Sequence, residues 1–331
     1  MKNEILSRIQ KKFPLAPKPF ETIANELNTT EDEVLNILQK EKTDAIIRQT
    51  SAIFDTKRLG YKSSLVAFKI PHAKIDDAVK IINSHPGISH NYERNHDFNI
   101  WFTLGISPDS KLGLEKTVEL LAKLTQADDY IMLPTLKLFK INVKLNTTGK
   151  DEKKEKVKKV IHKEIELTPL HHAIIAKAQY DIEMVSEPFK DIIDELEIDY
   201  DTFFSILAEL QDAGIMRRFA SILNHRKAGF NANAMVVWDV DEENGEEIGE
   251  RAATFSAVSH CYLRPKYDNW PYNLFTMVHG KTTEETNSII EDMAKEIPST
   301  SHMPLYSSRE FKKVRIEYFT PAEAKWEELH D

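Results

Sequence analysis

"SHNYER" at residues 89–94 returns as "SHCYLR" at residues 259–264, so the frame Ser-His-x-Tyr-x-Arg is written twice at an offset of 170. Four fixed residues at one spacing point to an internal duplication, and the flanking sequence extends it. "KPFETIANELNTTEDEVLNIL" (18–38) aligns with "EPFKDIIDELEIDYDTFFSIL" (187–207) at an offset of 169. The same offset pairs "IIRQTSAIFDTKRLGYKS" (46–63) with "IMRRFASILNHRKAGFNA" (215–232), matching Arg48 to Arg217 and Gly60 to Gly229. Phe102-Thr103 pairs with Phe275-Thr276 at 173, so the second copy carries three extra residues around "PKYDNWPY". Duplication at this period means tandem domains and not a solenoid.

Each copy reads the same way. Phe20, Ile23, Ala24 and Leu27 follow helical spacing, as do Val34, Ile37 and Leu38, and Asn28-Thr29-Thr30 before acidic residues is a helix start. A strand and a glycine bend follow, then a helix over 75–84, two strands within 88–106, a helix over 109–125 and a last strand over 131–144. The class is α+β: a winged helix-turn-helix module followed by a ferredoxin-like β-α-β-β-α-β domain, twice. The boundaries expected are 1–60 and 61–146 for copy 1, a charged linker at 147–163, and 164–229 and 230–331 for copy 2.

At 331 residues, 41% hydrophobic and 29% charged, the chain has the makings of a globular protein with ample core. A net charge of −9 disfavours broad contact with nucleic acid or anionic membranes. From Asp191 to Met216 the second helix-turn-helix has no lysine or arginine, while Glu195, Glu197, Asp199, Asp201, Glu209 and Asp212 are acidic. A DNA-reading helix needs cations against phosphate, so no DNA partner is expected and the module reads as a retained scaffold. The single cysteine, Cys261, excludes intramolecular disulfides and argues against a thiolate zinc site. Without an apolar spanning run or signal core, the expectation is a cytoplasmic protein with no membrane partner.

The cationic and aromatic side chains gather in islands. In copy 2 these are Arg217, Arg218, His225, Arg226 and Lys227, then His260, Tyr262, Arg264, Lys266, Tyr267, Trp270 and Tyr272; in copy 1 they include His90, Tyr92, Arg94 and His96. In an acidic protein such islands suit an anion, with guanidinium forks for carboxylates and rings for a flat apolar body. On a strand, His260, Tyr262 and Arg264 alternate onto one face, and His90, Tyr92 and Arg94 do the same. The alternative for such a row is a hydrogen-bonded sheet face, and for Trp270 and Tyr272 simple packing. No phosphate loop, dinucleotide fingerprint or metal-hydrolase motif is present.

"RRFASILNHRKAGFNANAMVVWDV" and "VSHCYLRPKYDNWPYNLFTMVHG" resemble the second-subunit (AhbB-like) half of the sirohaem decarboxylase family. "IFDTKRLGYKSSLVAFKI" and "SHNYERNHDFNIWFTLG" resemble its AhbA-like half, fused here in the order of NirDL-type proteins and within the Lrp/AsnC-like superfamily. The resemblance implies removal of the two acetate carboxyl groups on rings C and D of sirohaem as carbon dioxide, giving 12,18-didecarboxysirohaem for haem or nitrite-reductase haem. It implies no cofactor beyond the iron of the substrate, and fused halves packed as a pseudo-dimer, with further homo-oligomerisation left open.

Carried over by motif, His225, His260 and Arg226 become the catalytic candidates. His225 and His260 share the roles of general acid and axial iron ligand in an order left open, and His279 is a weaker ligand candidate. Arg217, Arg218, Tyr262, Arg264, Trp270 and Tyr272 become substrate contacts, with His90, Tyr92 and Arg94 in a second or shared pocket. Copy 1 has Asp55-Thr56-Lys57 where copy 2 has Asn224-His225-Arg226, so the main site falls to copy 2. The rival readings are an Lrp/AsnC-type transcription regulator sensing a tetrapyrrole and a non-catalytic haem carrier.

Overall fold

A computed structural model describes residues 1–141, 163–223 and 232–330. The charged segment 147–162 and the turn that holds His225, Arg226 and Lys227 lie outside the described residues.

Copy 1 runs α1 (Lys2–Lys11), α2 (Pro19–Glu26), α3 (Glu31–Thr43), β1 (Ile47–Phe54), β2 (Lys62–Lys69), α4 (Ile75–Ser84), β3 (Ile88–Arg94), β4 (Ile100–Ile106), α5 (Gly113–Thr125), β5 (Asp129–Pro134) and β6 (Lys137–Ile141). Copy 2 runs α6 (Pro169–Ala178), α7 (Lys190–Glu195), α8 (Tyr200–Asp212), β7 (Met216–Leu223), β8 (Ala232–Asp239), α9 (Gly245–Ala253), β9 (Val258–Leu263), β10 (Leu274–Gly280), α10 (Thr283–Glu296) and β11 (Ser301–Lys313), and ends in α11 (Ala322–His330). The α+β class and the β-α-β-β-α-β order are those expected from sequence.

Local chemistry sets the boundaries. Thr30 caps α3 by accepting from the Glu33 amide at 3.3 Å, and three acids fill its first turn. Gly60 turns the chain after β1 at φ +83°, where a side chain would be strained. The helix expected over 109–125 starts only at Gly113. The preceding amides are spent in a turn, with Gly113 N on Ser110 Oγ at 2.9 Å and Lys111 N and Leu112 N on the Glu327 carboxylate at 3.1 and 3.2 Å.

The chain divides into two units, each assembled from both copies. One gathers the helix-turn-helix modules with residues 317–321. There β1 and β7 pair antiparallel, so each module's wing strand zips onto its counterpart. Phe13 and Phe20 of copy 1 meet Phe189, Phe203 and Phe219 of copy 2, with Phe13 to Phe219 at 5.4 Å between centroids and Phe189 to Phe219 at 5.6 Å. All five rings are buried, which makes a shared aromatic core the thing these modules build.

The other unit holds one nine-stranded sheet in the order β5-β2-β4-β3-β11-β8-β10-β9-β6. The strand expected over 131–144 splits because its ends serve different copies: β5 pairs with β2 of its own copy, and β6 crosses to β9 of the other. Reciprocally, Ser301–Tyr306 of β11 pairs with β8, and Ser307–Lys313 with β3 of copy 1. Helices cover one face of each half. Val66, Phe68, Ile82, Phe102, Leu104, Val118 and Leu121 pack under α4 and α5, and Ala234, Val236, Trp238, Ile248, Cys261, Leu274 and Ile290 under α9 and α10. The opposite face carries a third cluster drawn from both copies, with Trp101, Ile131, Leu133, Met235, Trp270, Phe275 and Leu305.

Candidate active site

The repeated motif lies at the same place in both halves. Ile88 pairs with Leu104 and His90 with Thr103, so Ser89 is the extra residue of a β-bulge; Ser259 is the same in β9, where Met277 faces His260 and Val278 faces Val258. A bulge re-aims a side chain out of strict alternation. Here it brings the serine hydroxyl onto the next residue's ring, with Ser89 Oγ 3.0 Å from His90 Nδ1 and Ser259 Oγ 2.7 Å from His260 Nδ1.

From that anchor the row stacks along the strand. The rings of His260 and Tyr262 lie 6.2 Å apart at 20°, and the Arg264 guanidinium sits 4.8 Å from the Tyr262 centroid. In copy 1 the spacings are 6.3 Å for His90 to Tyr92 and 5.6 Å for Arg94 to Tyr92. Cys261 points into the helix-covered core while Tyr262 borders the third cluster, so the row occupies the helix-free face. Burial holds His260 and His90 below the usual histidine range, and pushes the Tyr262 phenol up.

The two arginines do not stand free at the end of the row: each donates to a backbone carbonyl of the other copy. Arg264, 9% exposed, donates through Nη1 to the carbonyl of Leu133 and to Thr135 Oγ1 at 3.2 Å, where copy 1 leaves β5 for β6. Arg94, 7% exposed, donates through Nη1 to the carbonyl of Leu305 at 2.8 Å, where β11 changes partners. Each arginine thus pins the other copy's crossing strand. Burial lowers both guanidinium groups to about 10, still charged near neutral pH.

Trp270 lies beyond the end of the row, in the aromatic loop of copy 2. At 1% exposure it is interior, 5.3 Å from Trp101, 5.4 Å from His96 and 5.1 Å from Tyr272. The aromatic loop around it is a clamp on copy 1: Tyr267 donates to the Met132 carbonyl and Asn269 to Asp129 at 2.8 Å. The extra residues of copy 2 are spent on that contact. Tyr272 is only partly buried and packs against the third cluster.

Arg217 and Arg218 belong to the unit of paired helix-turn-helix modules, on exposed positions of β7. Arg217 is tied to Asp55 at 2.8 Å. Burial raises the Asp55 carboxyl, but Arg217 and the amides of Arg58 and Lys57 outweigh it and leave it below the usual range. His225 and Arg226 lie outside the described residues, so the expected residues that share a row on the sheet are His260, Tyr262 and Arg264, with His90, Tyr92 and Arg94 in the other half.

The two rows differ in their surroundings. Tyr92 faces Glu310 across the ladder and His90 faces Lys313, and burial with the Glu310 charge pushes the Tyr92 phenol up to about 12. Tyr262 and His260 face Leu138 and Ile141. A carboxylate beside the row repels an anionic ligand, and an apolar pair does not, so copy 2 offers the better platform for a flat polycarboxylate. Sequence reasoning missed Ser259 and Asn233. His279 was noted but not linked to them: its Nε2 lies 2.5 Å from Ser259 Oγ and its Nδ1 2.7 Å from Asn233 Oδ1.

Comparison with known proteins places these features in context. The family described as "AsnC-like ligand binding domain" matches residues 58–140 and 227–312, and "Siroheme decarboxylase NirDL-like HTH domain" matches residues 2–48. A siroheme decarboxylase of Hydrogenobacter thermophilus is 39% identical over 98% of this chain and 96% of its own length. The crystal structure of the siroheme decarboxylase NirDL superimposes with a TM-score of 0.81 at 35% identity, covering 99% of this chain and 97% of that one. A crystal structure of the siroheme decarboxylase NirDL in co-complex with an iron-uroporphyrin III analogue gives 0.81 at 34% identity, with the same coverage of each chain.

Proposed function

The chain belongs to the sirohaem decarboxylase family, and from that premise we propose that it removes the ring C and ring D acetate carboxyl groups of sirohaem, using the helix-free sheet face of copy 2. Kinship along nearly the whole chain carries the reading, and a relative whose structure holds an iron-uroporphyrin III analogue supports an iron tetrapyrrole as the ligand. The transcription-regulator reading is not favoured by these comparisons, and α8 presents no cation to a phosphate backbone.

In each step the bond between the acetate methylene and its carboxylate breaks and carbon dioxide leaves. The electron pair is held by carbon and macrocycle, and a proton completes the methyl group. The residues must desolvate the carboxylate and deliver that proton, and a positioned general acid contributes about 10²–10⁴-fold. His260 supplies the proton or ligates the iron, and His225 takes the complementary role. Tyr262 and Tyr272 cover the macrocycle, and by motif Arg217, Arg218 and Arg226 are the candidates for its carboxylates. The substrate's iron macrocycle is the only cofactor in this reading, and the enzyme works in the cytoplasm.

Anaerobic incubation of purified protein with sirohaem alone, followed by mass analysis, tests the proposal. A product lighter by two carbon dioxide units is expected. Unchanged sirohaem, or an absolute need for an added nucleotide, flavin or oxidant, would overturn it.

A further inference from the structure

A line of polar atoms runs through copy 2 behind the histidine of the row. Asn233 Oδ1 is 2.7 Å from His279 Nδ1, His279 Nε2 is 2.5 Å from Ser259 Oγ, and Ser259 Oγ is 2.7 Å from His260 Nδ1. An amide oxygen only accepts, so His279 Nδ1 carries the hydrogen. With Nδ1 donating to Asn233, the neutral ring of a histidine at pH 8 leaves Nε2 as an acceptor toward Ser259. The buried Ser259 hydroxyl therefore donates to that nitrogen, and its oxygen accepts from His260 Nδ1–H. The donors run in one direction.

We infer that Ser259, His279 and Asn233 are positioning residues that hold His260 in its Nδ1–H tautomer, leaving Nε2 as the nitrogen presented to the substrate. The inference rests on the reading that this sheet face holds sirohaem. The line is not a proton wire, because a proton arriving through Ser259 would meet an Nδ1 that is already occupied. Its service is orientation. Neutral Nε2 offers a lone pair to iron. Once protonated, the same atom gives its proton to the carbon that has lost carbon dioxide, and the ring returns to the Nδ1–H form before taking a new proton from solvent. Fixing the tautomer spares the ring a competing state in which Nε2 bears the hydrogen and cannot ligate.

Copy 1 breaks the line at its second link. Ile106 stands opposite Lys62 where His279 stands opposite Asn233, and an isoleucine accepts nothing from Ser89. The Ser-His pair was kept in both copies, but what orders it belongs to copy 2 alone.

Histidine side-chain ¹⁵N spectra of the labelled full chain without sirohaem, at pH 8, test this, with the His260 signals assigned by their loss in His260→Gln. Wild type should show His260 as Nδ1–H. Ser259→Ala and Asn233→Leu should move it toward the Nε2–H form that free imidazoles prefer, while Ser259→Thr and Asn233→Asp, which keep the oxygen, should hold it. Turnover should fall about 10–100-fold in the first pair, the scale for partners that orient a ligating histidine, with KM little changed. Asn233 is exposed, so its variants remain informative even if Ser259→Ala misfolds. An Nε2–H tautomer in wild type, or one indifferent to these substitutions, overturns the inference. Because the tautomer is read without substrate, a chain inactive on sirohaem but with the predicted tautomer shifts would overturn the functional reading and leave the positioning role standing.

Discussion

Replacing Arg264 with alanine separates a pin from a clamp. Its Nη1 holds the Leu133 carbonyl and Thr135 Oγ1, and its charge lies over the rings of Tyr262 at 4.8 Å and Phe275 at 5.3 Å. Truncation leaves a buried carbonyl without its donor, at about 1–3 kcal/mol. It also opens a void of the kind that costs about 2–5 kcal/mol when a large side chain is cut to alanine. Release of a buried charge that has no carboxylate partner works in the opposite direction, so the net loss expected is about 2–4 kcal/mol. At roughly 2–4 °C per kcal/mol for a unit of this size, the melting temperature should fall by about 5–15 °C. Sirohaem affinity, titrated by absorbance on the same preparation, should stay within about tenfold, or 1.4 kcal/mol. Arg264→Met, which restores volume without charge, should recover much of the stability. Arg94→Ala should follow the same course, because Arg94 holds Leu305 in the same way. An unchanged melting temperature together with a hundredfold loss of affinity would refute the argument and return Arg264 to the substrate rim.

Two further outcomes concern α11. Trp326 lies between His85 at 4.5 Å and His330 at 4.2 Å and donates to Ser84 Oγ at 2.9 Å, so Trp326→Ala should cost about 3–5 kcal/mol, read by urea unfolding. Burial pushes the Glu323 carboxyl up to about 7, Glu327 and Asp109 add to the rise, and the Ser107 amide opposes it. The ionised form is the disfavoured one in the fold, so Glu323→Gln should be more stable than wild type above pH 7. The advantage should shrink as pH falls from 7 toward 4.5; melting curves at pH 5 and pH 8 compare them.

Much of this fold was legible because its signals are local. The apolar spacing of Ile75, Ala78, Val79 and Ile82 set α4 at the bounds expected, and alternation in the Ser-His-x-Tyr-x-Arg frame put histidine and tyrosine on one face. Periodicity says nothing about which chain segment arrives opposite, however. The strand break after Pro134 and the partners of Arg94 and Arg264 depend on a strand from the other copy, so a buried pin and an exposed clamp read alike in sequence. The burial of Trp270 was hidden for the same reason: an aromatic loop suits a pocket or an interface equally. The link from His260 to His279 was hidden by the bulge at Ser259, since strict alternation sends that hydroxyl to the wrong face.

The crossing strands have a consequence for how the two copies were free to diverge. Each half finishes the other's sheet, so a half alone would expose an unpaired strand edge and seek any partner that fits. A covalent tether turns that encounter into an intramolecular one at an effective concentration in roughly the millimolar range, which outcompetes strangers at ordinary cellular abundance. Every molecule then holds one half of each kind. One of them carries His279 and the other Ile106 at that place, so each molecule holds the histidine once.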